Sequence, residues 1–431
     1  VIILSKPEAI ENVLINGARD GSLIRSPDGN RAWNSIAGAP ILIGQNGAEW
    51  QWRRKIWNPE FSSSGLSKYF GVVGEACERV IDTIKTRDLA SAVPVDELFV
   101  ELTMRVICRL MLGIPVDNTN PTPEWPPLDI SKTYRAMAVL GYHFLQVATK
   151  GKPAIDFPLT ESERKYRAAL RHVKEFIGPR VDLALQLRDK TIAPESIDPL
   201  FKNSMLVRIA VGEPRYRRET LIAEAIEMLI AGTDTTAHTL SFAVGELALN
   251  PEVCRKAREV VDGVQEKYGG LTIEAFKELN YIRAIVKETL RLYSVASGST
   301  SLQAIKPTTI EGIPVPAGTT IFWSMLAAGR DPETYPNPEE FRPERWLEAE
   351  KGSVSPPMID FGSGAHRCLG EPLAMLEATL MLARLLSEFE WELGNGRASL
   401  SLENLQQNLL IYPPDGMPLR FREREAIAVR V

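Results

Sequence analysis

A chain of 431 residues with 44% hydrophobic and 24% charged side chains can bury a large core, which excludes a disordered or low-complexity protein. A net charge of −5 without long basic runs gives no reason to expect nucleic acid as a partner. Four scattered cysteines, Cys77, Cys108, Cys254 and Cys368, form no C-x-x-C pair, which argues against a disulfide framework or zinc cluster and for a reducing compartment. No apolar run reaches the roughly 18 to 20 residues of a membrane span. The chain opens at Val1 rather than methionine, so a leader or anchor is expected to be missing ahead of it.

In chain order, Pro40 to Ile43 is predicted as a strand. In Trp50-Gln51-Trp52-Arg53-Arg54, Trp50 and Arg54 lie four apart on one helical face. That face suits either a cofactor contact or a basic surface helix anchored by tryptophan. Helical stretches around Cys77, Cys108 and Cys254 predict buried, inert thiols. Pro121 to Pro127 reads as a loop and Glu161 to Arg188 as a helix. Helical periodicity then runs from Arg217 to Leu249, with Ile222, Ile226, Leu229, Thr233, Ala237 and Leu240 on one face, and predicts a helix that does not end at Gly232.

Within that helix, Gly232 to Thr236 costs roughly 3 kcal/mol against alanine, from about 1 for Gly and up to about 0.7 for each Thr or Asp. A helix serving only as core would not gather these residues. One reading has Thr233 or Asp234 capping a second helix, or the hydroxyls bonding back to carbonyls one turn earlier. The other is a loosened helix that turns a hydroxyl and a carboxylate to a ligand, with small Ala231 and Gly232 leaving room beside it.

Further on, Glu288 and Arg291 are three apart in the helical stretch Tyr281 to Tyr293, a spacing that usually marks a solvated face. Strands are predicted at Thr308 to Val315, Thr319 to Trp323, Asn408 to Tyr412 and Pro418 to Phe421, with a Pro-rich loop at Tyr335 to Pro343. Phe361-Gly362-Ser363-Gly364-Ala365-His366-Arg367-Cys368-Leu369-Gly370 leads into a helix reaching about Phe389. Cys368 therefore sits at a helix start, where free N–H groups and the dipole favour a thiolate, and Pro372 is tolerated in the first turn. Gly362, Gly364 and Gly370 allow sharp bends or close approach, and Phe361 can shield the sulfur. A phosphate loop and an inert turn before a helix are the bland alternatives. The first lacks G-x-G-x-x-G, because Arg367 holds the third glycine position.

The cysteine segment is similar to the haem-binding signature F-x-x-G-x-x-x-C-x-G of the cytochromes P-450, and Ala231 to Thr236 resembles their oxygen-binding signature A-G-x-D-T-T. Glu288-Thr289-Leu290-Arg291, Pro338 to Trp346 with Arg345, and Trp50 to Arg54 resemble further family segments in the family's order. The resemblance implies a mainly α fold with small β-sheets, a single catalytic domain over 1–431, and haem b (iron protoporphyrin IX) between the long central helix and the helix after the cysteine loop. It implies Cys368 as the axial iron ligand. Trp50, Arg54, Ala231, Gly232, Phe361, Gly364, His366 and Gly370 become cofactor contacts, with His366 or Arg367 as a cation for a haem propionate. Thr235 and Asp234 become the pair that delivers protons during oxygen activation, and Glu288, Arg291 and Arg345 a structural triad.

By the same resemblance the chain is a monooxygenase acting on a lipophilic small molecule with dioxygen. Electrons come ultimately from NAD(P)H through a ferredoxin, flavodoxin or flavin reductase, and Arg53 and Lys55 are exposed to meet that donor. It is intracellular, either cytoplasmic or anchored by the missing N-terminal segment. Asp117 to Ile130, Met137 to Thr160 and Thr191 to Pro214 help form the substrate pocket. A thiolate-haem isomerase or peroxygenase, a non-catalytic haem-binding protein and a haem-free helical scaffold are the rival classes. Ala296 to Ala304 carries no basic residue where many members have arginine, so the second propionate partner is open. Ser294 stands for a frequent proline and Gly329 for a frequent histidine.

Overall fold

The computed structural model describes residues 1–17, 19–62, 67–117, 129–150, 160–297, 300–348, 357–395, 400, 402–407 and 409–424. It is mainly helical with small sheets. Glu161–Arg188 forms one helix over the predicted span, started by a capping box in which Thr160 and Glu163 exchange side-chain-to-backbone bonds. Asp234–Leu249 is buried almost all round, as a helix in the middle of a large core must be. The helices Val95–Leu112, Asn280–Tyr293 and Glu371–Glu388 pack against it.

The long central helix is broken, contrary to the prediction of an uninterrupted one. Arg218–Ala231 ends, and Asp234–Leu249 begins after Thr233 (φ −98°, ψ −77°). Here the Thr233 amide reaches Ile230 O at 3.4 Å, while its hydroxyl donates to Leu229 O at 2.6 Å and that of Thr235 to Ala231 O at 2.8 Å. Side-chain hydroxyls thus bond back to the preceding turn where the ladder falters. Thr233 holds the N-cap position of the second helix without capping it.

Strands are short. Ile2–Leu4 lies parallel to Thr320–Trp323, which pairs antiparallel with Leu302–Ala304, which in turn pairs with Leu23–Arg25. The predicted Thr308 to Val315 strand is a hairpin of Thr308–Ile310 and Ile313–Val315. Pro418–Glu423 runs between Phe389–Leu393 and Val93–Pro94, and Ile411–Tyr412 pairs with Gln406–Gln407; Asn408 lies outside the described residues. Pro40 to Ile43 is no strand, since Leu42–Gly44 is a 3₁₀ turn. Its amides are engaged by side chains: Asn34 Oδ1 accepts from Ile41, and the Glu227 carboxylate accepts from Leu42 and Ile43 at 2.7 and 2.8 Å. Among the described residues no helix is long and apolar enough to cross a membrane.

Candidate functional site

A cavity of about 350 Å³ opens between the cysteine loop and the break in the central helix. Cys368, Phe361, His366 and Gly370 line one side; Ala231, Gly232, Thr235 and Thr236 line the other; Trp50, Arg54 and Arg25 reach it from the N-terminal part of the chain. Every residue expected to contact a cofactor borders this space except Gly364.

The cysteine loop is built around its sulfur. The Cys368 amide donates to Phe361 O at 2.7 Å, closing the loop, and the Gly370 and Glu371 amides at the start of Glu371–Glu388 hydrogen-bond the sulfur. Gly370 has an ordinary φ (−81°), and a Cβ there would lie 4.0 Å from the sulfur. Gly364, at φ +66°, is not among the lining residues, and a Cβ there would meet Leu14 O at 2.9 Å. Its left-handed φ and this close approach both call for glycine. Although Cys368 is exposed to the open cavity, its partial withdrawal from bulk water pushes the thiol above its usual range against the opposing pull of the Gly370 amide and the Arg54 charge. Coordination of a metal would deprotonate this thiol outright. The other three cysteines are buried, and burial pushes Cys108 up to about 12.

His366 and Arg367, the two expected propionate cations, both border the cavity. Burial, with Arg25 and Arg54 beside it, holds the His366 imidazole down to about 3, and it packs on Trp50 with ring centroids 4.0 Å apart. Its buried Nδ1 has no partner among the described residues. Arg367 pairs with Glu371, and its carbonyl accepts from Arg54 at 2.7 Å. Arg54 and Arg25 are the arginines at the cavity that carry no carboxylate bond there, while Arg367 borders it paired with Glu371. Sequence reasoning missed Arg25, which ends a three-residue strand, donates to Ile43 O at 2.9 Å, and is held down to about 10 by burial. Its only sequence signal is an arginine closing a short apolar run.

Arg53, expected to be exposed, is 5% exposed; it bonds Glu49 and meets Glu224 at 2.7 Å. Lys55 alone of that pair is exposed. Gly232 borders the cavity, but the space its missing side chain leaves is taken by Ile107, whose Cγ1 would stand 3.1 Å from a Cβ. Thr235 faces the cavity and Asp234 does not. The Asp234 carboxyl turns towards Tyr134, Asp96 and His238, and burial pushes it up to about 6. No described residue of Asp117 to Ile130, Met137 to Thr160 or Thr191 to Pro214 lines the cavity; 118–128 and 151–159 lie outside the described residues. Trp33, Ile36 and Leu410 line it instead.

Glu288, Arg291 and Arg345 come together behind this site. Arg291 donates to both Glu288 oxygens at 2.8 and 3.0 Å, Arg345 Nε donates at 2.9 Å, and Trp346 Nε1 and the Arg342 amide add one bond each. Glu288 is fully buried, so this is not the solvated face its spacing usually marks.

The arrangement fits a flat, largely apolar ring with two acidic groups on one edge. Its walls are mostly apolar, one sulfur with two N–H donors faces in, and Arg25, Arg54 and the free His366 Nδ1 gather at one side. Among the described residues no three His, Cys, Asp or Glu side chains are grouped to hold a bare metal ion. Fold and site together define a helical haem-thiolate protein. The chain belongs to the cytochrome P450 family, whose profile matches residues 1–419, and the family makes it an oxygen-incorporating oxidoreductase with haem as cofactor. It is 27% identical to cytochrome P450 3A13 of Mus musculus over 90% of this chain and 76% of that one. It is 28% identical to cytochrome P450 3A28 of Bos taurus (80% and 68%) and to tryptamine 5-hydroxylase of Oryza sativa subsp. japonica (88% and 72%).

Proposed function

We propose that the chain inserts one atom of dioxygen into a lipophilic small molecule, with Cys368 as iron ligand and electrons supplied by a separate redox protein. The observation that carries this reading is a single cavity with the Cys368 sulfur on one wall and the Thr235 hydroxyl on the other. Haem held there would supply the oxygen-activating chemistry, with Cys368 as the residue that would bind its iron.

The protein's own groups do the rest. The Gly370 and Glu371 amides offset charge on the sulfur, Phe361 limits water beside it, and Arg54 and Arg25 hold the cofactor's carboxylates with Trp50 packed alongside. Ala231 keeps the opposite wall low. The Thr235 Oγ1, now donating to Ala231 O, can turn to donate into the cavity, and Asp234 one residue earlier restores protons to that face. Apolar side chains such as Ile36, Ile41 and Leu410 favour an apolar substrate. The donor is a ferredoxin, flavodoxin or flavin reductase drawing on NAD(P)H, with exposed Lys55 near its docking face. Buried free thiols suit a reducing, intracellular compartment.

The test pairs a spectrum with product analysis. The reduced, carbon monoxide-bound protein should show the red-shifted haem-thiolate band, and Cys368→Ser should abolish it. With a surrogate reductase and ¹⁸O₂, one labelled atom should enter a lipophilic substrate. A retained band in Cys368→Ser would sink the ligand assignment. Turnover without label or reductant would favour an isomerase or peroxygenase.

A further inference from the structure

Behind Thr235, on the side of the helix away from the cavity, three titratable groups from two helices meet. His238 is fully buried, and its Nδ1 lies 2.8 Å from Asp96 Oδ1. Asp96 stands in the first turn of Val95–Leu112, 13% exposed at its side chain, and also accepts from Ser241 Oγ at 2.7 Å. Asp234 lies one turn before His238, so their side chains share a face. Both carry a buried polar atom with no partner among the described residues, Oδ1 on Asp234 and Nε2 on His238. Such orphaned buried atoms are costly singly and rare in native interiors. Two of them, one turn apart and of opposite hydrogen-bonding sense, make no direct bond to each other, and one water between them would satisfy both.

We propose that His238, held charged by Asp96, is the buried counter-ion of Asp234 and governs the proton that Asp234 passes towards Thr235. The proposal rests on Asp234 being the proton carrier. His238 is then a positioning residue, since it lies off the cavity wall and acts through Asp234. The groups facing the pair are Asp96 and Ser241 at His238 Nδ1, the Tyr412 ring 4.5 Å from the imidazole, and Tyr134, which hydrogen-bonds Asp234 from Ile130–Lys150.

Charge bookkeeping supports the arrangement. Burial lowers the proton affinity of His238, yet its bond to Asp96 and the charges of Asp96 and Asp234 carry it above the usual imidazole value. Burial raises Asp234, with Asp96 adding to the rise, and the charge of His238 is the chief opposing influence, aided by Tyr134. Removing that charge would leave Asp234 protonated over most of the neutral range and slow to give its proton away. The proton balance is simple. With no organic substrate added, two electrons and two protons convert dioxygen to hydrogen peroxide, and each proton that leaves Asp234 is replaced from solvent.

The experiment uses the holoenzyme with a surrogate flavin reductase and no added substrate, following reductant consumption and hydrogen peroxide release from pH 5 to 9. Wild type should show a limb that falls as pH rises through the Asp234 midpoint. Loss of a nearby opposite charge moves a carboxyl by about one to three units, so His238→Gln should move the limb upward by an amount of that order. Asp96→Asn, which removes the group holding His238 charged, should move it the same way. In parallel, ¹⁵N-histidine spectra of the reduced, carbon monoxide-bound protein follow the His238 titration, assigned by its absence in His238→Gln. Its midpoint should fall in Asp234→Asn and in Asp96→Asn. An Asp234→Asn protein that keeps the wild-type limb overturns Asp234 as proton carrier. If Asp234→Asn loses the limb while His238→Gln keeps it in place, or if His238 titrates unchanged in Asp234→Asn, the counter-ion assignment alone falls.

Discussion

Thr235 and Asp234 are adjacent in the chain but look in different directions, one into the cavity and the other towards His238 and Tyr134. Successive helical residues do not face one another, so a hydroxyl and its proton source can lie on opposite sides of one backbone turn. Thr235→Ala is therefore expected to keep its fold and its haem. Alanine is the better helix former by roughly half a kcal/mol, and the lost bond to Ala231 O is worth about 1 kcal/mol. The defect should be uncoupling: less product, and more hydrogen peroxide, per reducing equivalent. In Asp234→Asn the hydroxyl stays and slower oxygen reduction should dominate. Coupling that stays unchanged in Thr235→Ala would show that its hydroxyl is dispensable. The A-G-T-D-T-T pattern made both residues legible in the sequence. Asp96, 138 positions before Asp234, could not be read as its neighbour, because no local spacing links the two.

The elements show which signals survive the fold. Long amphipathic helices such as Glu161–Arg188 were legible to the residue, since many apolar positions vote on one face. Three-residue strands such as Ile2–Leu4 and Leu302–Ala304 carry too few alternations to register. Pro40 to Ile43 has strand composition, yet its amides go to Asn34 and Glu227, residues of distant or differently predicted elements. The glycines of the cysteine loop were legible as a group, but not their separate tasks. Gly364 is the sharpest case, because a side chain there faces both a left-handed φ and the Leu14 carbonyl. Gly364→Ala should cost about 1 to 2 kcal/mol for the backbone alone and more for the contact. Its effect should appear as faster haem loss and a weakened thiolate band at unchanged helix content by circular dichroism. Normal haem retention would mean that the Leu14–Ile15 segment yields and the loop does not depend on this packing.

Across the whole molecule, buried charge networks connect parts of the chain that hydrophobic packing alone leaves free to slide. Glu224 on the central helix takes Arg53, Trp57 and Tyr216, fixing the helix that carries Trp50 and Arg54 against the one that carries Ala231. Arg53 was legible as a cation but not as a buried one, because burial depends on a partner 171 residues away. Glu288 plays the equivalent part on the cysteine side. Its carboxylate takes donors from Arg291, Arg345, Trp346 and the Arg342 amide, and the guanidiniums reach onward to the carbonyls of Gly329, Pro338, Glu340 and Pro336. The substitution Glu288→Gln keeps the shape but replaces one acceptor oxygen by an NH₂ group that points at donors. It also leaves two buried guanidiniums without a countercharge. Breaking a buried pair from one side costs on the order of 3 to 5 kcal/mol, against about 1 or less for an exposed one. The variant should express poorly, load little haem and unfold at markedly lower denaturant. Any holoenzyme recovered should turn over with near-normal coupling, since none of the three residues borders the cavity. Haem content, denaturant midpoint and product per reducing equivalent measured on one preparation decide the matter. Wild-type values for the first two would remove Glu288 from the framework, and a selective loss of coupling would give it a catalytic part instead.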